Sequence, residues 1–313
     1  MADEPGWWRR VTGSRAVRAG RWGVLVAVVV AAGLWAFNTA MRVRARREAA
    51  RIAADTPFGR AFEAIDHEAP GEFGVLLLHG IHGTPDDFRL VTAELRARQI
   101  PHYAPMLGGE RPSPAAGVGF TAESLGRHAE AAYAHLAARC GRIAVVGFSL
   151  GGVQATDVAA RHDVAALALV APGYRIAPRW FLPPSVEAWC RTLAPVVPLV
   201  PKSAPARMND PAAEKQYRGL CTVALPAAVA LADYAPEVLA RCDRVTAPVL
   251  CVLSAQDEVI DVPTARAAVT SFAAKSKRLV WCNDAAHTIL SDTGRERAAR
   301  EIVGFILSCR ESP

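Results

Sequence analysis

The run Arg142–Val153, RIAVVGFSLGGV, constrains the fold more than any other stretch of this 313-residue chain. Its first half is a near-continuous apolar run, the pattern of a strand buried on both faces, and such strands belong to parallel sheets. It then turns through Gly147-Phe148-Ser149-Leu150-Gly151 into a helical pattern. At such a corner the serine hydroxyl projects from the carboxyl edge of the sheet. Side chains two residues to either side would collide with crowded backbone, which is why glycines stand there. The helix that follows aims backbone N–H groups and the positive end of its dipole at the same spot.

One buried parallel strand demands neighbours, and the sequence supplies them. Strands are predicted at Phe73–Leu78, Pro101–Ala104, Arg142–Val146, Ala166–Ala171, Val249–Leu253 and Arg278–Trp281, with helical patterns between them. Leu125, Ala129, Ala132 and Leu136 recur at helical spacing, as do Ile302, Ile306 and Cys309. Alternating strands and helices predict an α/β fold with a doubly wound, mostly parallel sheet. The interval 173–246 is far longer than one crossover needs and holds Trp180, Trp189 and the proline-rich APVVPLVP. It reads as a mostly helical insertion, or cap, between core segments 72–172 and 247–313.

The positive charge is local. Ten arginines and three acids lie in the first 51 residues, an excess of seven that leaves the rest of the chain at −1. Nucleic-acid binding needs a basic face on the folded domain, so this distribution argues against it. The arginines instead flank residues 23–41, GVLVAVVVAAGLWAFNTAM, which carry no charge. As a helix this segment is about 28 Å long, close to the hydrocarbon core of a bilayer. A cleaved signal peptide has a shorter apolar stretch and a small-x-small site, and Leu34 and Asn38 spoil the two available sites. The expectation is a basic segment at 1–22, a single-pass anchor at 23–41 in contact with membrane lipid, and a stalk at 42–71. Five arginines on each side leave the orientation balanced. The seven cysteines show no metal-ligand spacing and read as free thiols.

A nucleophilic serine needs a base and a group to orient it. Downstream, one predicted strand runs into Ala255-Gln256-Asp257-Glu258-Val259-Ile260-Asp261 and another into Cys282-Asn283-Asp284-Ala285-Ala286-His287. An acid and a histidine just past two strand ends can meet the serine at that one sheet edge, in the chain order Ser, Asp, His. Asp257 is the first choice for the acid and Asp261 the second. Leu77-Leu78-His79-Gly80-Ile81-His82-Gly83 follows another strand, where the amides of Ile81 and Leu150 are expected to form an oxyanion hole. His79 is expected to brace that loop. No carboxylate or thiol completes a metal set with His79 and His82, so no metal is expected.

With these pieces in order, the chain resembles the α/β-hydrolase superfamily, within it the carboxylesterase and monoacylglycerol-lipase-like branch also described as the serine aminopeptidase S33 group. LLLHGIHGTPDDF is similar to the oxyanion strand and loop, VVGFSLGG to the nucleophile elbow, LSAQDEVI to the acid loop, DAAHTIL to the histidine loop, and ARMNDPAAEKQY to the cap of monoglyceride lipases. The resemblance implies a hydrolase fold with a helical cap and cofactor-free ester hydrolysis by Ser149, His287 and Asp257. An apolar cap and a bilayer anchor together favour a lipophilic ester, such as a monoacylglycerol or lysophospholipid; the other reading is a general esterase that the anchor merely localises. Trp180 and Trp189 are expected to line an acyl pocket under the cap. An acyltransferase with the same triad and a non-catalytic tethered binding protein are the alternatives.

Overall fold

The computed structural model describes residues 7–54, 56–69, 71–107 and 113–311. A helix, α1 (Trp7–Ile52), and a single turn, α2 (Pro57–Arg60), precede the sheet strands β1 (Ile65–His67) and β2 (Gly71–Leu78). Next come α3 (Arg89–Ala97), β3 (His102–Ala104), α4 (Ala122–Ala137), β4 (Cys140–Phe148), α5 (Leu150–Arg161) and β5 (Ala166–Val170). The insertion holds α6 (Val186–Leu193), β6 (Leu199–Pro201), α7 (Pro211–Gln216) and β7 (Thr222–Ala224). The chain ends with α8 (Leu225–Leu239), β8 (Val249–Leu253), α9 (Val262–Ser271), β9 (Lys277–Trp281) and α10 (Arg295–Arg310).

The seven-stranded sheet has the order β1-β3-β2-β4-β5-β8-β9 and is parallel except where β1 pairs with β3. All six predicted strands are present. Their central members are apolar on both faces because helices cover both: Val75–Leu78, Ile143–Val146, Ala166–Val170 and Val249–Leu253 are buried. This is the doubly wound α/β sheet the sequence predicts. Among the described residues all seven cysteines are unpaired.

The insertion differs from its expected form in two ways. It is not mostly helical, because β6 and β7 form an antiparallel pair and long loops surround the short helices α6 and α7. Its last helix, α8, also packs into the main core. Ala230, Leu231, Tyr234, Ala235 and Val238 face α4 and α5 at helical spacing, and the Tyr234 hydroxyl donates to Asp157 Oδ2 at 2.8 Å. The part that overhangs the sheet edge is thus 173–224.

Residues 42–71 do not form a free stalk. Helix α1 runs unbroken through the apolar span into its basic end, and that end docks on β6 and β7. Ala45, Glu48 and Ile52 are buried. The Glu48 carboxylate accepts the Cys221 N–H at 2.6 Å, while Arg44 donates to Thr222 Oγ1 and the Lys202 carbonyl, each at 3.3 Å. The stretch 65–67 joins the sheet as β1, too short a strand to carry a period-2 signal. By contrast, the window of α1 that is apolar enough to cross a membrane buries none of itself against the rest of the protein.

This docking fixes where the chain can be shortened. A chain beginning at residue 42 should keep the stability of the body. One beginning at residue 53 loses Ala45, Glu48 and Ile52 and leaves the Cys221 amide without its acceptor. Burial and hydrogen bonding of that size correspond to about 2–4 kcal/mol, so calorimetry should show the shorter chain melting lower by roughly 5–10 °C.

Candidate active site

Ser149 sits between β4 and α5 with φ 54° and ψ −116°, a backbone strain that L side chains rarely accept. The flanking glycines make the turn feasible. A Cβ at Gly147 would stand 2.1 Å from the Gly151 carbonyl oxygen, and one at Gly151 would stand 1.8 Å from the Leu78 carbonyl oxygen. The corner is held from both sides, since the Ser149 N–H donates to Val170 O and Ser149 O accepts from Gly152 and Gly173.

The loops after β8 and β9 bring the other two residues to this corner. His287 Nε2 lies 3.0 Å from Ser149 Oγ, and His287 Nδ1 lies 2.7 Å from Asp257 Oδ2. The Asp257 side chain is fully buried, and its Oδ1 accepts the Val259 and Ile260 N–H groups at 2.8 and 3.1 Å. Asp261 is elsewhere: it caps α9 through the Thr264 N–H and faces Arg175. Glu258 pairs with Arg207 at the surface. The arrangement permits proton transfer from Ser149 to His287, with the resulting imidazolium facing a buried carboxylate.

The loop after β2 stands beside the serine. A Cβ at Gly80 would be 3.2 Å from the Ser149 Cβ. Ile81 lines the same cleft as Ser149, and Leu150 is the first residue of α5. Neither the Ile81 nor the Leu150 amide donates a hydrogen bond in the turns and loops of the described residues. His79 braces this loop, as expected. Burial pushes its pKa down to about 4, against the pull of the Gly80 carbonyl, so the ring is neutral. Nδ1–H donates to Gly80 O at 2.7 Å and Nε2 accepts the Leu107 N–H at 2.9 Å. His82 lies in the left-handed region at φ 106°, and its carbonyl accepts the cap N–H of Leu220. Burial, and secondarily Lys202, lower the pKa of this imidazole to about 3. Among the described residues no cluster of His, Cys, Asp and Glu could hold a metal ion.

The cleft above Ser149 has a volume of about 1110 Å³, and its mouth is polar, with Arg179, Lys202, Arg207, Asn209 and Glu258. Behind Ile81 a narrow apolar cavity of about 30 Å³ is lined by Met106, Leu107, Phe120, Leu220, Ala224 and Ala227. Trp180 and Trp189 line neither space. The acyl-pocket expectation for them is therefore corrected. Trp180 is 92% exposed, and Trp189 points outward from α6 with its indole N–H on the Pro183 carbonyl at 3.2 Å. Only Cys190 of α6 is buried, so Trp189 stands on the outer part of that helix, and Trp180 lies in the loop ahead of it.

The sequence reading also missed Asp292. Its fully buried carboxylate accepts N–H groups from Asn209 and Asp210 of the cap, from Ala286 beside His287, and from Thr293, at 2.7–2.9 Å. Burial raises its pKa, but these four donors outweigh it and hold the group below the ordinary carboxylate value. Asn209 in turn donates to Gln256 Oε1 at 2.8 Å, next to Asp257. One carboxylate thus ties the cap to the histidine loop and, through Asn209, to the acid loop.

Fold and site together define an α/β-hydrolase with a Ser-His-Asp arrangement at the carboxyl edge of its sheet. Residues 74–294 match the family model described as serine aminopeptidase, S33, and the chain belongs to that family. No curated protein matches the chain. Among solved structures, one from work on the metagenome-derived lipolytic enzymes LipS and LipT is similar with a TM-score of 0.70 and 20% identity, covering 79% of this chain and 98% of that one. The monoacylglycerol lipase of Paleococcus ferrophilus gives 0.66 and 19%, over 79% and 98%. A membrane phospholipase A described as a bacterial virulence factor gives 0.51 and 19%, over 94% and 100%.

Two measurements test this geometry. Asp257→Asn should lower kcat by about four decades, because an amide cannot stabilise the imidazolium, whereas Asp261→Asn should cost only helix-cap stability. A larger kinetic loss at Asp261 would reassign the acid. The second concerns Asp87, which is buried in the segment after β2, accepts the Thr84 N–H and faces Tyr217 of the cap. Burial raises its pKa from 3.8 to about 7. The folded state then holds a proton that the unfolded state has released, so stability falls as pH rises from about 4 through 7. Melting curves across pH 4–8 should show Asp87→Asn gaining on the parent as pH increases, by on the order of a few kcal/mol at pH 8.

Proposed function

We propose that this protein is a membrane-anchored carboxylic ester hydrolase that works through an acyl-enzyme on lipophilic esters such as monoacylglycerols or lysophospholipids. The observation that carries this reading is the hydrogen-bonded succession Ser149, His287, Asp257 at the floor of a wide cleft. His287 takes the Ser149 proton as Oγ attacks the ester carbonyl, and Asp257 orients and stabilises the imidazolium. The Ile81 and Leu150 amides receive the oxyanion, each such donor contributing about 2.7–4 kcal/mol to the transition state. His287 then protonates the leaving alcohol, and water attacks the acyl-enzyme by the same route in reverse. No cofactor is needed for these steps.

Three observations support a lipophilic substrate. The similar solved structures include lipolytic enzymes, a monoacylglycerol lipase and a membrane phospholipase A. The last alignment covers more of this chain than the 79% typical of the others. The cleft also divides by polarity, with a charged mouth suited to a glycerol or phosphate head group and the apolar cavity behind Ile81 suited to the start of an acyl chain. Residues 23–41 supply the membrane contact.

A fluorophosphonate probe should label Ser149, and Ser149→Ala should abolish labelling and lower turnover of p-nitrophenyl esters by several decades. Retained labelling in the alanine variant would refute the nucleophile. Phe120→Ala opens the apolar cavity and should shift kcat/KM from butyrate toward laurate esters. An unchanged ratio would place the acyl chain elsewhere.

A further inference from the structure

Outside α1, large apolar side chains exposed to solvent are concentrated in one short piece of the cap. Trp180, Phe181, Trp189, Leu193 and Val196 are 39–92% exposed, and among the described residues of the body the only others are the scattered Val118, Val259 and Leu279. The five are linked in space as well as in sequence. Trp180 and Phe181 contact edge to face at 5.7 Å, and the Trp189 indole bonds Pro183 two residues beyond that pair. Leu193 lies one turn after Trp189, and its carbonyl accepts the N–H groups of Val196 and Val197. An exposed apolar cluster of this kind marks an interaction surface.

The anchor identifies what covers it. Asn38, inside the uncharged span 23–41, donates from Nδ2 to the Val196 carbonyl at 2.8 Å. Asn38 stands three residues before the end of the span, about 4.5 Å along the helix axis. If that span crosses a bilayer, Val196 lies within the headgroup and upper acyl layer, and the patch begins at that depth. Tryptophan and phenylalanine are the side chains favoured there, having an apolar body with, for tryptophan, one polar edge. The hydrogen bond of Trp189 leaves its ring face free, and its neighbours' charges are occupied: Arg179 donates to the Glu258 carbonyl and Arg191 pairs with Asp233.

We propose that Trp180–Val196 is a second bilayer contact, which rests the cap on the same leaflet that the anchor enters and holds the cleft mouth at the lipid surface. The proposal rests on the anchored-hydrolase reading. Arg179, which follows directly on this segment's N-terminal side, lines the cleft itself, so substrate leaving the leaflet has a short path to Ser149.

The test uses the full chain in vesicles of palmitoyl-oleoyl phosphatidylcholine, with and without its dibrominated analogue. Comparing the parent with Trp180→Phe/Trp189→Phe isolates the emission of those two side chains from that of the other five tryptophans. We expect bromolipid to quench the Trp180 and Trp189 emission. In a second arm, Trp180→Ser/Phe181→Ser/Val196→Ser should hydrolyse vesicle-embedded monooleoylglycerol about tenfold more slowly, since the cleft is no longer held at high local substrate concentration. Hydrolysis of a soluble butyrate ester should be unchanged, which also reports intact folding. Quenching confined to the other five tryptophans, or an unchanged vesicle rate, overturns the second contact and leaves the anchor standing. A full chain that fails to float with the vesicles overturns both readings.

Discussion

The start of α5 packs so closely on the end of β2 that only glycine fits at position 151, where a Cβ would lie 1.8 Å from the Leu78 carbonyl oxygen. Much of the site follows from that contact. It forces β4 to turn sharply, which places Ser149 at φ 54° with its hydroxyl clear of the sheet. It also sets the first amides of α5 beside the loop that leaves β2 at Leu78. Ser149 and the loop after β2, the proposed nucleophile and oxyanion loop, therefore share one rigid junction and are not two loops brought together independently. Strain at Ser149 and at His82 is tolerable because the surrounding backbone is over-determined: Ser149 makes three backbone hydrogen bonds, and His82 is tied to the cap through Leu220.

The base and acid are held by a different means. Both sit on loops, yet each loop is fixed by a buried carboxylate that accepts backbone N–H groups. Asp257 accepts two from its own loop while its other oxygen faces His287. Asp292 accepts four, two of them from the cap. A buried charge is costly unless satisfied, so these carboxylates persist only with their loops in this conformation. Cap and histidine loop are consequently coupled, and displacement of residues 209–210 withdraws two N–H donors from Asp292, in the segment carrying His287.

How much of this is legible in the sequence depends on the range over which the causes act. The central strands are legible because burial on both faces writes a continuous apolar run, and the elbow because its glycines answer a steric demand within four residues. The acid is legible to within one choice, Asp257 against Asp261, since both follow the same strand and only the fold makes Asp261 a helix cap. Strands β1, β6 and β7 are three residues each, too short for any period. Asp292 escapes because its partners lie up to 83 residues away and are backbone groups, which leave no mark in side-chain identity. Trp180 and Trp189 mislead for a related reason. A large aromatic in an apolar insertion reads as a pocket lining, but which side of a short helix is covered is decided by what packs beneath it, here α8 beneath α6, and Trp180 lies in the loop ahead of that helix.

In the anchored reading proposed above, the docking of α1 gives the anchor a meaning beyond attachment. A flexible tether would raise local concentration without orienting the enzyme. Here the helix passes from its apolar span into the body without a break, and Glu48 is buried there with its carboxylate on the Cys221 amide. Arg44 reaches the Lys202 carbonyl, and Lys202 lines the cleft. Met41 and Ala45 share one apolar cluster with Ala224, Ala227 and Ile81, so the basic end of α1 and the loop after β2 pack on the same side chains. The contacts that seat the helix are therefore continuous with those that shape the cleft. A bilayer that fixes the tilt of α1 fixes the direction in which the mouth opens, and any force bending the helix at its exit from the lipid is transmitted to β6, β7 and the wall behind Ile81.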